Sequence, residues 1–252
     1  MNRDTHRFEG RRAFTLLEVV IAVGLVIALA ALLFPLSAKM EESAKMVKCS
    51  GNLRQLVAGW RLYCADHNGV SVKYYWAQIP SNFGYPFWVG QIAPYTSGDI
   101  QTIALCPAAA TPTDASNYST GTATNCWAWA NWDKVIRCSY GFHGLWYSEG
   151  TPEIIGSMPP VKNALSTDFI GPVFADSAWV DSSWGVPVPD NFDTGLRWVV
   201  ARHKHKGINI AFSDGSVRFT TIGEYYRDIP MFPGDVVPHN DAQYQSVPAQ
   251  YR

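Results

Sequence analysis

Ala13–Pro35 reads A-F-T-L-L-E-V-V-I-A-V-G-L-V-I-A-L-A-A-L-L-F-P. Upstream lies a basic leader with Arg3, Arg7, Arg11 and Arg12 against only Asp4 and Glu9. From Val19 to Ala38 there is no charge, and a run of that kind is long enough to span a bilayer as a helix. One carboxylate, Glu18, stands at its start. An ionised Glu at membrane depth costs about 2.5 kcal/mol or more and so needs a partner or a function. A secretory signal peptide would place a small-residue cleavage site after a shorter apolar core. Here the small residue, Ala13, comes before it. That order predicts processing on the cytoplasmic side, with the apolar helix kept in the mature chain.

The hexapeptide A-F-T-L-L-E, Ala13–Glu18, resembles the processing motif of type IV prepilins, usually written G-F-T-L-x-E. The resemblance implies cleavage between Ala13 and Phe14 by a prepilin peptidase, which also methylates the new amine of Phe14. Glu18 then becomes the fifth mature residue, the one that pairs with an N-terminal amine during assembly. Pro35 falls where many pilins carry a proline and implies a helix kink. Ala13 departs from the usual Gly. Gly10 lies three residues upstream, but a cut there would leave Arg11 and Arg12 on the mature end and put Glu18 out of register.

The chain has 252 residues and a formal net charge of −1, enough for one sizeable globular domain plus an anchor. No basic face suggests nucleic acid; Arg202–Lys206 (R-H-K-H-K) is a short cluster before a strand. The five cysteines, Cys49, Cys64, Cys106, Cys126 and Cys138, contain no C-x-x-C pair. An exported head would permit disulfides. Cys49 and Cys64 share a predicted helix at a separation of roughly 22 Å, far beyond the ~7 Å that a bridge allows. Cys106, Cys126 and Cys138 are therefore the disulfide candidates, and buried apolar thiols are the alternative.

After Pro35 the pattern turns amphipathic. Met46, Cys49, Leu53, Leu56, Trp60 and Tyr63 recur at spacings of three and four, which predicts one apolar stripe laid against a globular head. Asp66-His67-Asn68-Gly69 ends it, with Gly in a capping role. Residues 70–160 hold many Trp, Gly and Pro without a sustained period; they read as a loop-rich insertion with short strands. Thr111–Thr124 reads as an exposed loop. Phe169–Ala175 predicts a strand that is at an edge or bulged, because of Pro172. Ile208–Phe212 and Val217–Thr221 alternate around Asp214-Gly215, which predicts a two-residue type I′ hairpin.

R-H-K-H-K-G-I-N-I-A-F-S-D-G-S-V-R-F, Arg202–Phe219, is similar to the His-x9-Asp-Gly segment of large pilin-like proteins of planctomycetes and verrucomicrobia. Cys49–Tyr63, Cys106-Pro107 and Ser139–Phe142 share that resemblance. Ten residues separate His203 from Asp214 and eight separate His205 from it, so the equivalent His stays open. The resemblance implies a prepilin N-terminus joined to a β-rich head.

No nucleophile elbow, HExxH or P-loop occurs. His203 and His205 would share a strand face, but no third ligand lies at recognisable spacing, so neither metal ligands nor catalytic residues are expected. Asp214 is accounted for by turn chemistry, and the two His should tolerate Ala. Asp168, Asp176, Asp181, Asp190 and Asp193 lie near loops, and calcium favours such oxygen ligands; the major pseudopilin of type II secretion binds calcium in a comparable region. No other cofactor is expected.

The fold class expected is α+β: leader 1–13, membrane half 14–37, amphipathic half 38–68, β-rich head 69–230 and irregular tail 231–252. The function expected is a non-enzymatic pilin-like subunit or pseudopilin of a type IV pilus or type II secretion filament. It would sit single-pass in the inner membrane with its head in the periplasm. Its partners would be the prepilin peptidase, other subunits and the inner-membrane assembly platform. The alternatives are an anchored protein with a Trp-rich polysaccharide-binding head, and an anchored hydrolase.

Overall fold

The computed structural model of the chain describes residues 14–74, 87–111, 118–119, 121–122, 124–131, 134–149, 161–177, 180–182, 202–203, 207–221 and 224, with backbone only at 32–39, 118, 130–131, 134 and 181–182. The leader with Ala13, His205, Asp190, Asp193, Trp76, Trp132 and the tail lie outside the described residues. The chain divides into two compact units, Met1–Ser43 and Ala44–Arg252. Residues 44–66 of the first helix thus belong with the β-rich unit.

Helix α1 runs Leu16–Asp66, and the helical backbone continues through Pro35. Its start has a local cause. Thr15 Oγ1 accepts from Glu18 N at 3.3 Å, and Glu18 Oε2 accepts from Thr15 N at 2.8 Å. This reciprocal pairing is a capping box, which satisfies two backbone donors that a helix leaves orphaned. In the first unit every described side chain from Phe14 to Ala31 is exposed. Among the described residues no helix is long and apolar enough to cross a membrane.

In the second unit the predicted stripe is buried at Cys49, Leu53, Leu56, Trp60 and Tyr63. Asn52, Val57 and Cys64 are buried too, so the covered face is wider than the stripe. Burying each large apolar side chain is worth about 1.5–3 kcal/mol. At the helix end both Asn68 (φ 54°) and Gly69 (φ 82°) are left-handed, and Gly69 N donates to Cys64 O at 2.7 Å. A Cβ on Gly69 would come within 2.5 Å of Asn163 Oδ1, so its small size matters as well as its φ.

The fold is α+β, with helices and largely antiparallel sheets. Between α1 and the first strand, the described residues hold two short α-helices, α2 (Phe87–Ile92) and α3 (Ile100–Ile103). Strands β1 (Tyr118–Ser119), β2 (Trp127–Asn131) and β3 (Lys134–Cys138) form a three-stranded antiparallel sheet. The larger sheet holds β4 (Tyr140–His143), β5 (Pro172–Asp176), β6 (Asp181–Ser182), β7 (Ile208–Phe212) and β8 (Val217–Thr220). Its order is β6-β4-β5-β7-β8, antiparallel except for the β4–β6 pair.

Two expectations need correction, and a third is met in one of its alternatives. Residues 70–160 hold the short strands expected but are more than a loop-rich insertion. They supply β4 to the larger sheet, and Trp88, Trp127, Phe142 and Trp146 to the core. The position of β4 escaped reading because every residue of it is buried, which removes the alternation of a half-covered strand. Of the two alternatives for Pro172, the bulge is the one found: β5 is interior rather than at an edge, and the register shifts between Pro172, its first residue, and Phe174. The β7–β8 connection is not a type I′ turn. Gly215 alone has positive φ there, at 92°, Gly215 N donates to Phe212 O, and Phe212 N donates to Ser216 O. That is a three-residue loop, Ser213–Gly215, with the left-handed residue last. Asp214 Oδ1 accepts from Ser216 N at 2.8 Å, the turn role assigned to it.

Candidate functional site

Four titratable side chains from distant parts of the chain meet in the core of the second unit. Cys49 comes from α1, Cys106 follows α3, Asp176 ends β5 and His203 precedes β7. Local bonds bring them in. Asp99 caps α3 by accepting from Gln101 N at 3.2 Å. Asn52 Nδ2 donates to Leu105 O at 2.7 Å, tying α1 to the Cys106 segment. Ser139 N donates to Ala104 O at 2.8 Å, tying that segment to the start of β4. Ser177 N donates to Ser139 O at 2.8 Å, which fixes the end of β5.

One sulfur, one carboxylate oxygen, one ring nitrogen and a second sulfur all lie within 4.8 Å of one another. Cys49 Sγ is 3.6 Å from Asp176 Oδ1. Cys106 Sγ is 3.7 Å from His203 Nε2. His203 Nε2 is 3.2 Å from Asp176 Oδ2. No member is more than 2% exposed. Around them Arg202 Nη1 pairs with Asp176 Oδ1 at 3.4 Å, Asn209 N donates to Asp176 Oδ2 at 3.2 Å, and Tyr140 Oη donates to Cys49 Sγ at 3.3 Å. The Arg202 guanidinium also donates to the carbonyls of Thr122, Ser139 and Ser177.

The electrostatics follow from that crowding. Burial alone would raise the Asp176 carboxyl, but His203, Arg202 and the Asn209 amide outweigh it and hold it below its usual range. Burial works against a charge on His203, yet Asp176 and Cys106 carry it up to about 10. Cys106 is pulled down to about 6, mainly by the neighbouring Cys49 thiol. Cys49 is pushed up, first by burial.

A cysteine beside a histidine invites a nucleophile–base reading, which the geometry does not support. In such a triad the orienting group holds the ring nitrogen remote from the nucleophile. Here Asp176 and Asn209 both approach Nε2, the atom that faces Cys106 Sγ. The thiol is also closed to substrate at 1% exposure.

The sequence-derived sites separate as follows. His203 was expected to lack a third ligand at recognisable spacing; the fold supplies Cys49, Cys106 and Asp176 from elsewhere. The three cysteines proposed for disulfides are free thiols, as are Cys49 and Cys64, and all five are buried. Cys106 belongs to the cluster, and Cys138 Sγ is engaged with Tyr140 O at 3.3 Å. Of the acids grouped for calcium, Asp176 is buried against Arg202 and His203, while Asp168 is exposed and accepts from Ser166 Oγ. Phe14 is 85% exposed, and Glu18 is engaged in the cap. Trp60, Trp88, Trp127 and Trp146 are fully buried, each indole N–H with an acceptor in the core; they offer no sugar-stacking face. Sequence reading did not bring Cys49, Tyr140, Arg202 and Asn209 to one site, and these four had one collective trace; Asp176, singled out only among the calcium acids, lies outside it. The segments Cys49–Tyr63, Cys106-Pro107, Ser139–Phe142 and Arg202–Phe219, set aside for a shared resemblance, all reach this spot.

Comparison of the chain with known protein families, with characterised proteins and with solved structures finds no match.

Proposed function

We propose that the protein is a pilin-like filament subunit, anchored by α1 and processed between Ala13 and Phe14. The observation that carries the reading is the division of labour along one helix. Residues Phe14–Ala31 are exposed throughout although nearly all are apolar, whereas Cys49–Cys64 of the same helix is built into a core. An exposed apolar surface of that extent calls for lipid or neighbouring protein. The sequence A-F-T-L-L-E at its start favours a prepilin subunit, which meets both in turn: the bilayer before assembly and other subunits after it. The inner-membrane anchor, periplasmic head, peptidase and assembly platform belong to this same reading.

Glu18 has two roles to separate. In the unprocessed chain it closes the capping box with Thr15. After cleavage its charge would neutralise the Phe14 amine of its own or a neighbouring subunit. Glu18→Gln keeps a capping residue at that position and removes the charge. The variant should insert and fold normally but fail to enter filaments. Incorporation at the wild-type level would reduce Glu18 to a cap and remove the assembly role.

A further inference from the structure

We infer that Cys49, Cys106, Asp176 and His203 form a closed, four-ligand site for a zinc-class divalent cation. The donor set is the first argument. Two thiolate sulfurs, an imidazole nitrogen and a carboxylate oxygen are the ligand types that zinc takes, and four-coordinate tetrahedral binding is its structural mode. Thiolates disfavour the hard cations such as calcium.

The spacing is the second. With metal–ligand distances of about 2.0–2.3 Å, the edges of a ligand tetrahedron measure about 3.3–3.8 Å. With Asp176 Oδ2 as the ligand oxygen, the observed edges are 3.9 Å for Cys49 Sγ–Asp176 Oδ2, 3.7 Å for Cys106 Sγ–His203 Nε2 and 3.2 Å for His203 Nε2–Asp176 Oδ2. The remaining edges stay within 4.8 Å. The ligand atoms need to move only tenths of an ångström on those three edges.

The third is the surrounding shell. Ligating carboxylates are usually held by further hydrogen bonds, and Asp176 has Arg202 on Oδ1 and Asn209 N on Oδ2. Tyr140 Oη donates to the Cys49 sulfur. Charge also closes. Two thiolates and one carboxylate balance one dication and the buried Arg202, and a neutral assembly is what a low-dielectric core tolerates. All four ligands are shielded from solvent, which marks a structural rather than a catalytic centre, since catalytic zinc keeps an open position. The ion would pin α1 to the end of β5, to the segment after α3 and to the segment before β7. This inference stands on the second unit alone and does not depend on the filament reading.

The rival use of the same sulfurs is a Cys49–Cys106 disulfide, and one set of measurements separates them. The full-length chain is extracted in detergent without chelator, and zinc is counted by elemental analysis. The chelated protein is then titrated with cobalt(II). About one zinc per chain is expected. Cobalt should give intense visible bands of a tetrahedral site and a thiolate-to-cobalt charge-transfer band in the near ultraviolet. Asp176→Asn and Cys106→Ser should bind at least tenfold more weakly, while Cys138→Ser, outside the cluster, should bind as wild type. Should the variants fail to fold, the wild-type cobalt spectrum decides by itself. A folded wild-type chain without zinc and without the tetrahedral cobalt spectrum overturns the site. So does a Cys49–Cys106 disulfide-linked peptide in a non-reducing digest.

Discussion

His143 is fully enclosed, and its Nδ1 caps the turn that follows by accepting from Leu145 N at 3.3 Å. Burial drives its imidazole down to about 3, against about 6.5 in an unfolded chain. Between those values the unfolded state binds one proton more than the folded state. The stability that His143 contributes is therefore complete above about pH 6.5. It falls by about 1.4 kcal/mol per pH unit as the pH drops towards 3. His143→Asn keeps a capping oxygen and removes the titration. Denaturant melts between pH 4 and 8 should show a shallower acid slope for the variant; parallel slopes would mean that His143 is not the group responsible.

Two further residues reverse or confirm what their types suggested. Gly215 sits at φ 92° with only Arg61 Cδ near its Cβ position, at 3.7 Å. The cost of a substitution there is thus backbone strain rather than crowding. Gly215→Val should destabilise by about 1–3 kcal/mol. His203→Ala, mild if the residue were peripheral, should instead cost about 3–5 kcal/mol, because it strips a buried carboxylate of a partner. Urea melts of the two variants read both values, and a near-neutral His203→Ala would mean that Arg202 and the Asn209 amide alone satisfy the Asp176 carboxylate. A sequence window could place Gly215 because turn chemistry is local. It could not place His203, whose neighbours arrive from positions 49, 106 and 176.

At the scale of elements, legibility followed periodicity. The amphipathic part of α1 could be read because one face is buried and the other wet: Leu53, Leu56 and Trp60 are covered, while Arg54, Ala58 and Leu62 are exposed. Strand β7 was found through its alternation and the turn beside it. Strand β4 was missed because both its faces are covered, and α2 and α3 were missed because a turn or two of helix carries no period. The α1 packing gives a direct test. Leu56 is fully buried in the same cluster as Trp60 and Trp146, whose rings meet edge to face at 5.3 Å. Leu56→Ala should cost about 2–5 kcal/mol and lower the melting temperature of the second unit by roughly 2–4 °C for each kcal/mol lost. An unchanged transition would place this face of α1 outside the cooperative core.

For the whole molecule, the N-terminal pattern and the buried cluster are separate statements about one chain. The first rests on a contiguous stretch, A-F-T-L-L-E, that folding does not rearrange. The second was not legible, because its four side chains have no common spacing and share only a three-dimensional address. The central claim is that this chain is a processed subunit, and the intact mass of the membrane-extracted protein tests it most directly. Co-expression with a prepilin peptidase should yield a species lacking residues 1–13 and carrying one added methyl group on Phe14. Recovery of only the full-length chain, or of a mature end at Arg11, would contradict it.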